Sequence, residues 1–116
     1  MAKINYLEYP ATDLIKTKAF FKQVFNWTFT DYGPEYSAFS SDDAGIDGGF
    51  YLSELKSQTS TGACLTVFYC EDLEQTQQQI AAAGGVINKP CFEFPGGRRF
   101  HFLEPSGSEF AVWSDK

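Results

Sequence analysis

A five-residue pattern occurs twice in this chain. Asp13-Leu-Ile-Lys-Thr17 and Asp72-Leu-Glu-Gln-Thr76 both read D-L-x-x-T, 59 residues apart in a chain of 116. A repeat at half-length points to two copies of one supersecondary unit. Each copy opens a helix: the aspartate can accept from the free backbone N–H groups of the first turn, and its charge suits the positive helix end. Asp72 with Gln75 also fits a capping box. Leu14, Thr17, Phe21, Val24 and Phe25 then form one apolar stripe at helical spacing, with a weaker one at Leu73, Ile80 and Ala83. The Ala-Gly-Gly run at 83–85 ends the second helix with residues that tolerate a left-handed cap.

Strands surround both helices. One precedes each, over 3–9 and 63–69, and three follow each, over 27–31, 36–40 and 46–53, then 85–91, 98–103 and 108–114. Turns fall at Asp31-Tyr-Gly-Pro34, Ser41-Asp-Asp-Ala-Gly45, Pro95-Gly-Gly97 and Pro105-Ser-Gly107. The expectation is an α+β chain with one domain over 1–116. It consists of βαβββ units at 1–53 and 63–116, joined by a polar linker over 54–62.

Composition narrows the function classes. A net charge of −6 argues against a nucleic-acid partner, since phosphate binding needs clustered Lys and Arg and only Arg98-Arg99 comes near. With 43% hydrophobic residues and 12 phenylalanines, the chain has the material for a core. Cys64 and Cys70 would stand about 20 Å apart on one strand, too far for a disulfide, and no C-x-x-C spacing suggests zinc. No signal peptide or membrane span is read, so a cytoplasmic location is expected. Gly96-Gly97 lacks the Lys-Ser/Thr of a phosphate loop and reads as a hairpin turn.

The segments at 13–27 (DLIKTKAFFKQVFNW), 71–73 (EDL), 82–85 (AAGG) and 102–113 (FLEPSGSEFAVW) give the chain a resemblance to the glyoxalase / bleomycin-resistance / extradiol-dioxygenase superfamily, the vicinal oxygen chelate proteins. The resemblance covers essentially the whole chain. It implies a curled, cup-like, mixed eight-stranded sheet with helices outside and a small ligand on the concave face, often with a divalent metal. Metal-using members place His or Glu at four strand positions. The matching positions here are Tyr6, about Leu65, Ala111 and, in the strand around 47–51, Asp47. A divalent ion needs three or four converging donors, and Tyr, Leu and Ala do not supply them, so no metal or other cofactor is expected.

Strand alternation then names the lining. Tyr6 is joined by Ile4 and Glu8, Leu65 by Val67 and Tyr69, and Ala111 by Glu109 and Trp113. Aromatic walls suit a flat or cationic ligand, and Glu8 or Glu109 would favour a cation. His101, the only histidine, points away from Phe100 and Phe102; it and Glu8 are the catalytic candidates, with Glu104 or Glu109 available to orient the imidazole. The leading expectation is a metal-independent binder of a small aromatic or cationic molecule. One rival is a metal-dependent lyase, isomerase or dioxygenase-type enzyme, its divalent ion held by rearranged ligands drawn from Glu8, His101, Asp47 and Glu109. The other is a structural or regulatory dimer with a filled cup. The resemblance also implies a homodimer, and no membrane partner is expected.

Overall fold

Both aspartates cap their helices. In the computed structural model, which describes residues 1–116, the Asp13 carboxylate accepts from the Lys16 amide at 3.0 Å and Asp72 from the Gln75 amide at 3.0 Å. The return bond of a capping box, from the Gln75 side chain, is not made. The first unit runs β1 (Tyr6–Ala11), α1 (Leu14–Phe25), β2 (Thr30–Asp31), β3 (Tyr36–Phe39), a one-turn helix α2 (Ser41–Ala44) and β4 (Asp47–Leu52). A 3₁₀ turn at Thr59–Thr61 lies in the linker. The second unit runs β5 (Thr66–Tyr69), α3 (Leu73–Ala82), β6 (Val86–Phe94), β7 (Gly97–Leu103) and β8 (Glu109–Ser114).

The eight strands are hydrogen-bonded as two four-stranded mixed sheets with matching orders, β1-β4-β3-β2 and β5-β8-β7-β6. In each, the first strand of the unit lies parallel to the last and forms one edge.

Several boundaries differ from the sequence reading. β1 starts at Tyr6 because pairing with β4 begins at Tyr6 opposite Asp47, which leaves Ile4 outside the strand and 83% exposed. It continues through Pro10 because an edge strand needs no donor on its open side. The same tolerance carries β6 past Pro90 to Phe94, with register shifts between Ile87 and Phe92. β2 shrinks to two residues because the Thr28 amide donates to the Asp43 carboxylate at 2.8 Å instead of to a strand. β5 begins only at Thr66, since the Ala63 amide is tied back to the Gln58 carbonyl at 3.1 Å. The Ser41–Gly45 turn tightens into α2, capped by Asp47, which accepts from the Ser41 amide at 2.6 Å.

The core is one aromatic cluster shared by both units. Phe20, missing from the expected stripe of α1, is buried beside Phe21. Phe21 packs on Phe50 of β4 (ring centroids 5.2 Å) and on Phe110 of β8 (5.4 Å). Phe25 stacks on Phe68 of β5 at 4.3 Å and 7°. Aromatic rings bury large apolar areas in these offset and tilted geometries. No helix is long and apolar enough to cross a membrane.

Candidate ligand-binding site

Alternation sends Leu7, Tyr9, Phe50, Phe100, Phe102, Phe110 and Val112 into the core, so their neighbours occupy the opposite, cup-facing side of each sheet. On the first sheet this brings Tyr6 and Glu8 together with Tyr36, a residue the sequence reading missed. The Tyr36 hydroxyl donates to the Glu8 carboxylate at 2.8 Å, so at 2.6 Å the Tyr6 hydroxyl is the donor to Tyr36. Burial first, and then these hydrogen bonds, raise the Tyr36 phenol above the usual tyrosine range. Gly49 makes the cluster possible: a Cβ there would overlap the Tyr36 hydroxyl and ring. The signal was present in the Gly48-Gly49 pair inside a strand, which marks a close approach.

On the second sheet, strand pairing lines residues up across the fold. One row is Tyr69–Trp113–Arg99–Phe92, the next Val67–Ala111–His101–Lys89. Tyr69 and Trp113 meet edge to face at 5.0 Å, and Tyr69 donates to Asp115 at 2.6 Å, a bond that pushes its phenol up to about 12.

His101 and Glu109 form a buried pair, with Nδ1 and Oε2 2.7 Å apart. Because the carboxylate accepts, Nδ1 carries the proton. Nε2 is buried without a hydrogen-bond partner, and the residue is 4% exposed. Glu109 also accepts from the amide and hydroxyl of Thr59, at 2.7 and 2.8 Å, and from Asn88 at 3.4 Å. Burial pushes its carboxyl up, but these donors outweigh it and hold the pKa at about 2.

The linker therefore folds onto the second sheet. Besides the Thr59 bonds, the Glu109 amide donates to the Ser57 carbonyl at 2.7 Å and Gln58 donates to the Gly107 carbonyl at 2.8 Å. Glu109 is consumed by this clasp, and Ala111 beside His101 has no exposed surface. Leu65 lies just before β5, half-buried. What stays open is the other end: Val67 at 41% and Tyr69 at 47% exposure, with Trp113, Phe94 and Arg99. Val67, Phe94, Arg99 and Trp113 surround a recess of about 230 Å³. A larger cleft of about 450 Å³ opens along the free edge of β5, between Val67, Tyr69 and the α2 region, with aromatic rings making up half of its lining.

A metal fits poorly here. Tyr6 is bonded to Tyr36, Asp47 caps α2, and Leu65 and Ala111 have no donor atoms. No three His, Cys, Asp or Glu side chains gather anywhere in the molecule.

A model of the Glyoxalase/Bleomycin resistance protein/Dioxygenase superfamily matches residues 3–112. Among solved structures, the chain is similar to a glyoxalase/bleomycin resistance protein/dioxygenase family enzyme from Burkholderia phytofirmans PsJN (TM-score 0.77, 18% identity, 99% of this chain and 100% of that one). It is similar also to the fosfomycin resistance protein FosX from Listeria monocytogenes (0.78, 18%, 98% and 93%) and to lactoylglutathione lyase from Agrobacterium tumefaciens (0.71, 16%, 98% and 94%). No curated protein matches the sequence. At such identities the likeness to solved structures is one of fold.

Proposed function

Since the chain belongs to the glyoxalase/bleomycin resistance protein/dioxygenase superfamily, we propose that it binds a small molecule with a flat aromatic body on the cup face, without a metal. The observation that carries this reading is the divided state of the second sheet. The end where an ion would be gripped is closed by Ala111, His101 and the linker, while the end walled by Val67, Tyr69, Phe94 and Trp113 is open. Apolar walls with a few convergent polar groups are the usual make-up of a ligand pocket. A cationic ligand is the weaker half of the sequence expectation. Glu8 already accepts from Tyr36, and Glu109 is taken by His101, Thr59 and Asn88.

The test is thermal unfolding of chelator-dialysed protein with and without a neutral aromatic probe such as naphthol. A saturable rise in Tm is expected, with no change on adding Mn, Ni or Zn. Stabilisation by one of those ions at a one-to-one ratio would overturn the metal-free reading.

One observation favours an enzyme as the second reading: the His101–Glu109 pair, in which a carboxylate fixes the tautomer of an imidazole, the arrangement of an oriented general base. Nε2 is closed to solvent, so turnover would require the packing around His101 to open. Under this reading His101→Gln abolishes any activity found, whereas under the first it leaves aromatic binding intact.

A further inference from the structure

Adjacent arginines on β7 have different fates. Arg98 faces α3 and pairs with Glu74 at 3.1 Å. Arg99 faces the other way, into the cup. It takes part in none of the molecule's ion pairs, its side chain makes no hydrogen bond, and its Nε is buried without a partner. Its guanidinium carbon lies 5.2 Å from the Phe92 ring centre and 5.7 Å from that of Phe94. Across the sheet its neighbour is Trp113, and beyond that Tyr69.

In a chain with 15 acidic and 9 basic residues, a half-buried arginine without a carboxylate is unexpected. Burying a charge and its donors without partners is costly. The surroundings add positive charge. Lys89 also lacks an acidic partner, and its ammonium sits 4.8 Å from the same Phe92 ring. Of the carboxylates on this face, Glu109 is bound to His101 and Asp115 to Tyr69.

We infer that Arg99 is an anion-binding residue and that the molecule held on this face carries a carboxylate on an aromatic body. The guanidinium presents a planar fork of donors that matches a carboxylate in two parallel hydrogen bonds. The recess bounded by Val67, Phe94, Arg99 and Trp113 puts that fork at the rim of an aromatic wall. The acid group would dock on Arg99, with Lys89 adding field, while the ring lies against Trp113 and Phe94. This rests on the reading of the cup face as a ligand-binding surface and specifies the charge of what binds there.

Calorimetric titration with three matched probes tests it: the naphthoate anion, its neutral amide and the naphthylmethylammonium cation. Wild-type protein is expected to bind naphthoate at least about tenfold more tightly than the amide, the scale of a charged hydrogen-bond pair. The ammonium probe should be weakest of the three. Arg99→Gln is expected to bring naphthoate to within about twofold of the amide, and a cooperative thermal unfolding transition shows that the variant is folded. Arg99→Lys should keep part of the preference, since it retains the charge but loses the fork. Should Arg99→Gln not fold, the wild-type ranking and its shrinkage with rising salt decide. Amide or ammonium binding as tightly as naphthoate, or a preference that survives Arg99→Gln, overturns the assignment of Arg99 and leaves aromatic binding standing. Failure of all three probes at millimolar concentration removes both.

Discussion

Two glutamates flank the turn between β7 and β8, both buried, and their surroundings drive them in opposite directions. Glu104 meets only hydroxyl and backbone donors, from Thr17 at 2.5 Å and Ser108 at 2.9 Å, and burial raises its pKa. Its ionised form is thus a burden on the fold near neutral pH, relieved as pH falls. Glu104→Gln can still accept from the Ser108 amide while its own amide donates to the Thr17 oxygen, so its stability should lie within about 1 kcal/mol of wild type. Glu104→Ala strands the Ser108 amide and should cost about 1–3 kcal/mol by urea denaturation. Glu109 runs the other way, its pKa lowered from the ordinary 4.5 to about 2. A lowered carboxyl contributes stability above its unfolded pKa, and that stability drains away as pH falls from 4.5 towards 2. Urea midpoints followed across that window should decline more steeply for wild type than for Glu109→Gln; parallel curves would show that the clasp does not titrate.

The two repeated threonines show what an element can and cannot disclose about itself. Thr76 bonds locally to the Asp72 carbonyl at 3.0 Å, a first-turn contact. Thr17, at the equivalent place, reaches across the fold to Glu104 and to Ser106 at 2.7 Å. Local features were therefore legible: the two caps, the helix spans, the turns at Pro95 and Pro105, and the opposite facing of His101 and Phe100. The residues Tyr6, Glu8, Val67, Tyr69 and Trp113 also stand on the face that alternation assigned. Features made by pairing between distant strands were not. Tyr36 reaches Glu8 only because β3 and β4 set it over Gly49, and the closure of Glu109 by Thr59 depends on a linker read as mere polar spacer. Arg99 could have been found, since it shares a face with His101 by alternation. The element that most exceeds its local role is α1, whose Phe21 touches both sheets. Phe21→Ala should cost about 3–5 kcal/mol, the usual penalty for an emptied buried aromatic site, measured as a shift in the denaturation midpoint.

Taken whole, the molecule leaves β1 and β5 each paired on one side only, with Tyr6 at 45% exposure and Tyr69 at 47% beside those open edges. Bare strand edges with apolar flanks invite pairing with a second chain. The protein is expected to sediment as a homodimer at micromolar concentration, and a monomer throughout that range would refute it. The shared core carries a further consequence. Although the chain is written as two similar halves, the helix of the first is seated among rings of the second, Phe25 against Phe68 and Phe21 against Phe110. Neither half owns a complete interior. Made alone, a fragment ending near residue 53 would present Phe20, Phe21 and Phe25 to water and should aggregate, and only co-expression with its counterpart should rescue it. Cutting the linker would therefore part an interior, not a hinge between two self-sufficient halves.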